Sequence, residues 1–264
     1  MANFYQLLLL ALLGSMVALI GGVVFLFNKS LSKTLSVNSV PFAAGVLITV
    51  SVLGLLPEAL EMAGEKVFLI VLSSFFGAYF FEKIFFGIHH HEDHQHGKDY
   101  KSSVPLVIFG DTIHNLIDGV AIAASYLVSP GLGLVTAIST LLHEVPHEIG
   151  DFGILLKAGW RRRNILIVNA LSASATIVGA SLVYFSSFGD ELVGSLLALS
   201  AGVFLYLGAS DFLPDVEYFS KSKVRAVIPL VIGVIAMVFT LMAVPHGHEN
   251  EEESSNIFDS SQEK

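Results

Sequence analysis

The sequence contains no cysteine, one tryptophan and few charges: Asp, Glu, Lys and Arg make up only 14% of 264 residues. The absence of cysteine excludes a disulfide framework, a thiolate metal site and a cysteine nucleophile. A soluble domain carries about 25% charged residues. The shortage here, with 53% apolar residues and a mean hydropathy of +0.71, points to one integral membrane domain. Basic residues are fewer than acidic ones, 14 against 23, for a formal charge of −9. Part of that charge sits in a tail containing Glu249 and Glu251 to Glu253. No basic patch suited to nucleic acid accompanies it.

A helix needs about 20 apolar residues to cross the hydrocarbon core. Eight segments qualify as candidates, at about 4–27, 40–60, 67–88, 104–128, 132–156, 164–187, 192–213 and 226–244. The first has no basic residues before it and is too long for a signal-peptide core, so it reads as a retained span. Lys29 and Lys33 follow span 1; Lys83, Lys98 and Lys101 follow span 3; Lys157 and Arg161 to Arg163 follow span 5; Lys221, Lys223 and Arg225 follow span 7. Only Lys66 and Lys264 fall on the other side. The positive-inside rule therefore predicts that these loops are cytoplasmic and both termini extracytoplasmic.

The chain also repeats itself. Ala44-Gly45-Val46 followed by Leu56-Pro57-Glu58 in span 2 aligns without a gap on Ala201-Gly202-Val203 followed by Leu213-Pro214-Asp215 in span 7. Those spans run in opposite directions by the charge argument. The predicted fold is thus all-α, with an inverted repeat relating spans 1–3 to spans 6–8 and spans 4–5 at the centre. Inverted repeats are typical of transporters, whose sites lie near the midplane between the halves. Residues 1–245 form the expected transport domain and 246–264 an acidic extracytoplasmic tail.

Ionisable residues are costly inside a bilayer and mark function by default. Span 4 carries His114-Asn115-x-x-Asp118, preceded by Asp111; span 5 carries His143-Glu144-x-x-His147-Glu148, followed by Asp151. At 100° per residue the span 4 group covers an arc of about 100° and the span 5 group about 140°. The short Ser129–Gly131 connector makes the two helices antiparallel neighbours. No Lys or Arg lies between Lys101 and Lys157 to balance the five acids in that stretch. Each ionised acid near the centre costs about 2.5–3.5 kcal/mol on insertion scales. A divalent cation answers that cost, and imidazole with carboxylate suits zinc, iron(II) or cadmium better than manganese or magnesium. Pro146, inside the second signature, withholds one helical hydrogen bond and frees the Leu142 carbonyl.

GDTIHNLIDGVAIAAS in span 4 and TLLHEVPHEIGDFGILLKAG in span 5 resemble the ZIP (Zrt/Irt-like) metal transporters, in particular the branch with an HExPHExGD motif. The eight candidate spans and a histidine-rich loop after span 3 agree with that family. The resemblance implies import of a divalent metal, most readily zinc, through a binuclear centre between spans 4 and 5. Spans 1, 4, 5 and 6 would slide against the rest. His114, Asp118, His143 and His147 would line the transport site. Asn115 and Glu144 would belong to an adjoining second site that shares Asp118 and His147. Two departures bear on that second site. Gly54 stands in span 2 where many relatives have a ligand. Span 6 offers only Asn169, Ser172 and Ser174 where some bacterial relatives have a carboxylate. Asp211 matches a recurrent acidic position of span 7, and Glu58 and Asp215 are candidate entrance carboxylates. Asp111, Glu148 and Asp151 are further candidates along the pathway.

His89, His90, His91, His94 and His96 form a tract of metal-binding composition. It falls in the loop at 89–103, expected on the cytoplasmic side, where it would catch or sense delivered metal. His246 and His248 stand in the acidic tail. The alternative function is enzymatic. His143-Glu144-x-x-His147 also matches the HExxH motif of zinc proteases, with Glu144 as general base. Pro146, the matching signature on span 4 and the repeat favour a transporter and no enzyme. The expected partners are the metal ion, taken as substrate, and the lipid bilayer. A homodimer is one arrangement left open, and the expected location is the inner membrane of a prokaryote.

Overall fold

The structure, a computed structural model, describes residues 3–27, 29–85, 100–214 and 223–245. All regular structure among them is helical. The helices are α1 (Phe4–Gly14), α2 (Leu19–Phe27), α3 (Lys29–Val50), α4 (Leu56–Ala63), α5 (Lys66–Phe85), α6 (Tyr100–Val128), α7 (Pro130–Lys157), α8 (Arg162–Phe185), α9 (Asp190–Tyr206) and α10 (Lys223–Ala243). A π-turn at Ser51–Leu55 joins α3 to α4, and a second one at Leu207–Phe212 extends α9. The histidine tract at 89–96, Asp215 and the acidic tail lie outside the described residues.

Among the described residues, six runs are long and apolar enough to cross a bilayer: Phe4–Phe27, Asn38–Ala63, Lys66–Ile84, Val104–Val128, Arg162–Phe185 and Asp190–Phe212. The two other expected spans fall short for different reasons. α7 has 28 residues, about 42 Å at 1.5 Å per residue, but Glu144, Glu148, Asp151 and two histidines dilute its apolarity. In α10 the apolar stretch Val227–Ala243 is shorter. Large apolar side chains stand exposed around the bundle. Phe68, Leu69, Phe76 and Phe80 on α5 and Ile228, Ile232, Ile235 and Phe239 on α10 are among them. In lipid such surfaces need no protein cover, whereas backbone polar groups must be satisfied inside the helices.

Small residues sit at the tightest helix contacts of the interior, as expected where helix packing replaces the hydrophobic drive. A Cβ at Gly119 of α6 would stand 2.0 Å from the Thr176 carbonyl oxygen of α8, and one at Gly179 of α8 would stand 2.2 Å from the Leu116 oxygen of α6. The two glycines let those backbones touch reciprocally. Gly21 and Gly22 of α2 instead make room for the Val145 and Phe152 side chains of α7. Ser129 opens α7 by accepting the Leu132 amide on its Oγ, and Pro130 fills the first helical position, where no donor is needed. α7 continues through Pro146 as one helix.

The two aligned segments of spans 2 and 7 behave alike. In each π-turn an amide reaches a carbonyl five residues back: Leu56 to Ser51, and Leu213 to Gly208. Those pairs occupy the same positions of the aligned copies, one residue before Pro57 and Pro214. A proline cannot donate to the carbonyl four residues back, so the register slips there. The aligned glycines also match. Gly45 admits the backbone of α10 at Leu230, and Gly202 admits that of α5 at Val71.

Candidate metal centre

α6 and α7 lie side by side and bring their polar stripes together at mid-length. His114 stands 14 residues from either end of α6 (Tyr100–Val128), about 21 Å of helix on each side. His143 is similarly central in α7. Ligand atoms of His114, Asp118, His143 and Glu144 all lie within 4.8 Å of one another. Nε2 of His143 is 3.2 Å from Nε2 of His114 and 3.2 Å from Oδ2 of Asp118. Nε2 of His114 is 3.0 Å from Oε1 of Glu144 and 3.7 Å from Oδ2 of Asp118. Four ligands at about 2.0 Å from a tetrahedral zinc ion would stand about 3.3 Å apart. The observed separations bracket that edge length.

The electrostatics favour a cation. Asp118, His143 and Glu144 are fully buried. Among the described residues neither carboxylate has a hydrogen-bond partner, and the polar atoms nearest them are the histidine Nε2 atoms. Nδ1 of His143 donates to the Ser139 carbonyl at 2.9 Å, which in the neutral ring leaves Nε2 as a lone pair. That second contact fixes both ring orientation and tautomer. The His143 lone pair, Nε2 of His114 and two carboxylates thus converge at one point.

The grouping differs from the sequence expectation in two respects. Glu144 joins the central four, whereas His147 does not. The His147 ring is tilted against His114, centroids 4.6 Å apart, and against Phe212 of the second π-turn at 5.0 Å. Asn115 is also engaged elsewhere. Its amide nitrogen donates to Asp111 Oδ1 at 2.8 Å and to the Asp111 carbonyl at 3.1 Å, and its oxygen accepts from Thr176 of α8 at 3.0 Å. Thr112 and Ser172 share a hydrogen bond in the same α6–α8 seam. Asn115 therefore holds helices as well as standing beside the site. Glu148 is buried, and neither of its oxygens has a hydrogen-bond partner among the described residues; it is one helical step from His147. Asp111 belongs to the stripe of α6 and Asp151 to that of α7. Glu58 and Asp211 lie on other helices and outside the central four. Gly54 is buried against Leu241 of α10, and Asn169 donates to its own helix at Ile165. Ser174 donates to the Leu171 carbonyl. Neither span 2 nor span 6 adds a ligand to the central group among the described residues.

Two aromatic residues of span 7 escaped the sequence reading. Phe204 packs edge-on to His143 with centroids 5.3 Å apart, and Phe212 packs on His147. Apolar residues in an apolar helix carry no signal of their own. A zinc protease would need both histidines of HExxH on one ion, but their ring centroids are 6.4 Å apart and His147 stands outside the four-ligand group. The enzymatic alternative has no support here.

Human Zinc transporter SLC39A7 is 35% identical over 157 residues, which is 56% of this chain and 34% of that protein. Human Zinc transporter ZIP6 is 38% identical over 111 residues, 42% of this chain and 15% of that protein. The rat Metal cation symporter ZIP8 is 41% identical over 120 residues, covering 45% and 26%. The chain thus spans well under half the length of these relatives. All three are animal proteins and lend no support to a prokaryotic inner membrane. The profile of the family described as ZIP Zinc transporter matches residues 90–241, more than half of the sequence and including both signatures, and the chain belongs to that family.

Proposed function

We propose that the chain carries a divalent transition metal, zinc foremost, across a membrane toward the cytoplasm by alternating access. The observation that carries this reading is the buried convergence of His114, Asp118, His143 and Glu144. Two carboxylates beside two imidazoles, with no Lys or Arg from 102 to 156, make a site whose negative charge a divalent ion would neutralise. Imidazole and carboxylate ligands suit zinc, iron(II) and cadmium. His147, Asn115 and Glu148 border the site and would complete a second position or a path from it.

The membrane domain is proposed to comprise residues 1–245 in eight spans, α7 and α10 included, with both termini extracytoplasmic and the acidic tail outside. The inverted repeat is supported by the paired π-turns, by Pro57 and Pro214, and by the matching close approaches at Gly45 and Gly202. Such repeats provide two related halves that can rock or slide about a fixed site.

Zinc flux into proteoliposomes of the purified full chain tests the reading. Saturable uptake is expected, with iron(II) and cadmium competing more strongly than manganese. No saturable uptake, accompanied by peptide cleavage, would overturn it in favour of the protease. Deleting residues 89–96 is expected to lower uptake while leaving it measurable, because the central site is intact without them. Complete loss in a correctly inserted protein would put that tract on the pathway itself.

A further inference from the structure

We propose that Phe212 is a positioning residue that fixes the His147 ring outside the central four-ligand group, and that separation of the two rings admits His147 to the metal at another stage of transport. The proposal rests on the transport reading. Its basis is a polar atom in an apolar setting. Nε2 of His147 is buried and has no hydrogen-bond partner among the described residues. The ring lies between His114 at 4.6 Å and Phe212 at 5.0 Å. An imidazole one helical turn from His143, on the same face of α7, is well placed to ligate and yet is not within the four-ligand group.

The backbone explains how Phe212 reaches this position. It is the last residue of the π-turn Leu207–Phe212, and it is 5% exposed. A π-turn adds one residue to a helical turn, which rotates the residues after it by about 100° relative to a regular helix. Regular α-helical winding through this stretch would aim Phe212 elsewhere. In the aligned copy the equivalent residue is Leu55, which has no ring to offer. The aromatic contact is thus a local departure from the repeat at the point where span 7 meets the site. π-turns are frequent at functional sites, and this one sits on a different helix from every member of the central four. Any movement of α7 against α9 must therefore part His147 from Phe212.

The chemistry follows from the donor set. With His147 outside the group, the central ion has two imidazoles and two carboxylates. With His147 released it gains a third imidazole, and a five-ligand set or exchange of a carboxylate becomes available. Zinc accepts both four and five ligands, so a hand-over between them needs no change of metal.

Two measurements test this on the full chain. The first uses metal-free protein and diethyl pyrocarbonate, which acylates accessible imidazole nitrogen. Phe212→Leu keeps apolar volume and removes the flat ring. The acylation rate of His147, read by mass spectrometry, is expected to rise about threefold or more as the local contact opens more often, with His143 unchanged. Phe212→Met provides a second variant if leucine impairs folding. The second measurement is zinc affinity by equilibrium dialysis. A released ligand removes a conformational penalty, so Phe212→Leu is expected to bind zinc about fivefold more tightly and to turn over more slowly. In the His147→Ala background the same substitution is expected to change affinity by less than about twofold. Equal effects in both backgrounds, or unchanged His147 reactivity, would overturn the proposal. If the unmodified chain neither bound nor carried zinc, the transport reading itself would fail, and the acylation contrast would still report the His147–Phe212 contact.

Discussion

Replacing Asp118 by alanine is expected to abolish saturable metal uptake without destabilising the metal-free protein. Asp118 is fully buried, and its Oδ2 lies 3.2 Å from His143 and 3.7 Å from His114. It supplies one of the two negative charges of the central group. Breaking a buried charge pair by removing one partner costs about 3–5 kcal/mol, and 1.4 kcal/mol is a factor of about ten in affinity. The expected loss of zinc affinity is therefore at least about a hundredfold. Stability should respond in the opposite sense. Without metal the carboxylate is a desolvated group with no hydrogen-bond partner among the described residues, and insertion scales put such a group at about 2.5–3.5 kcal/mol. Removing it should leave the melting temperature of the metal-free protein unchanged or raised, while abolishing the rise that zinc gives the unmodified chain. Asp118→Asn separates charge from shape: uptake should fall nearly as far, because the amide keeps the volume and loses the anion. Full transport in the asparagine variant would contradict the charge argument. A lower melting temperature in the metal-free alanine variant would mean that Asp118 holds helices together.

The fold was largely legible because a bilayer asks for one simple property, apolar length, and turn or charge signals punctuate the chain at Ser129-Pro130-Gly131 and Lys157–Asn164. Legibility failed where function enters. α7 is long enough to span, yet the residues that make it functional lower its apolarity below that of its neighbours. The site was readable as two stripes, since ionisable residues in apolar helices have few structural explanations. Which members of a stripe converge was not readable. His143 and His147 are four residues apart and only about 40° apart around the helix, so spacing alone treats them alike. The difference arises from Phe212 on a helix about 65 residues further along, aimed by a π-turn that proline alone does not locate. Asn115 poses the same problem. Its neighbours in sequence suggest a ligand, and its partner Thr176 on α8 takes up the amide oxygen. The two aligned segments of spans 2 and 7 were more transparent, because their glycines and prolines act through the backbone. Gly45 and Gly202 have their packing roles whatever side chains surround them.

Gly119→Val is expected to be the most damaging substitution outside the metal ligands. A Cβ at this position would stand 2.0 Å from the Thr176 carbonyl oxygen, 2.8 Å from its carbon and 2.9 Å from the Ala180 nitrogen. All three atoms belong to backbone, so no rotamer change relieves the clash, and α8 must move away from α6. Overpacking typically costs about 1–3 kcal/mol and occasionally more; contact with a rigid backbone places this case at or beyond the upper end. The damage extends to the site. Thr176, whose carbonyl is displaced, also donates through Oγ1 to Asn115, and the Thr112–Ser172 bond crosses the same seam. Asp118 is the residue before Gly119, so its carboxylate shifts with the helix that carries it. Loss of folded yield and of zinc-dependent stabilisation should therefore appear together. Alanine variants make the test sharper. Gly119→Ala and Gly179→Ala each push the same two helices apart from opposite sides, since Gly179 meets the Leu116 carbonyl at 2.2 Å. Once one methyl has forced the helices apart, much of the space the second requires is already open. The melting-temperature loss of the double variant should then be clearly smaller than the sum of the single losses, as for neighbouring substitutions that share one displacement. Additive losses would mean that the two glycines act independently and that α6 and α8 do not move as rigid partners.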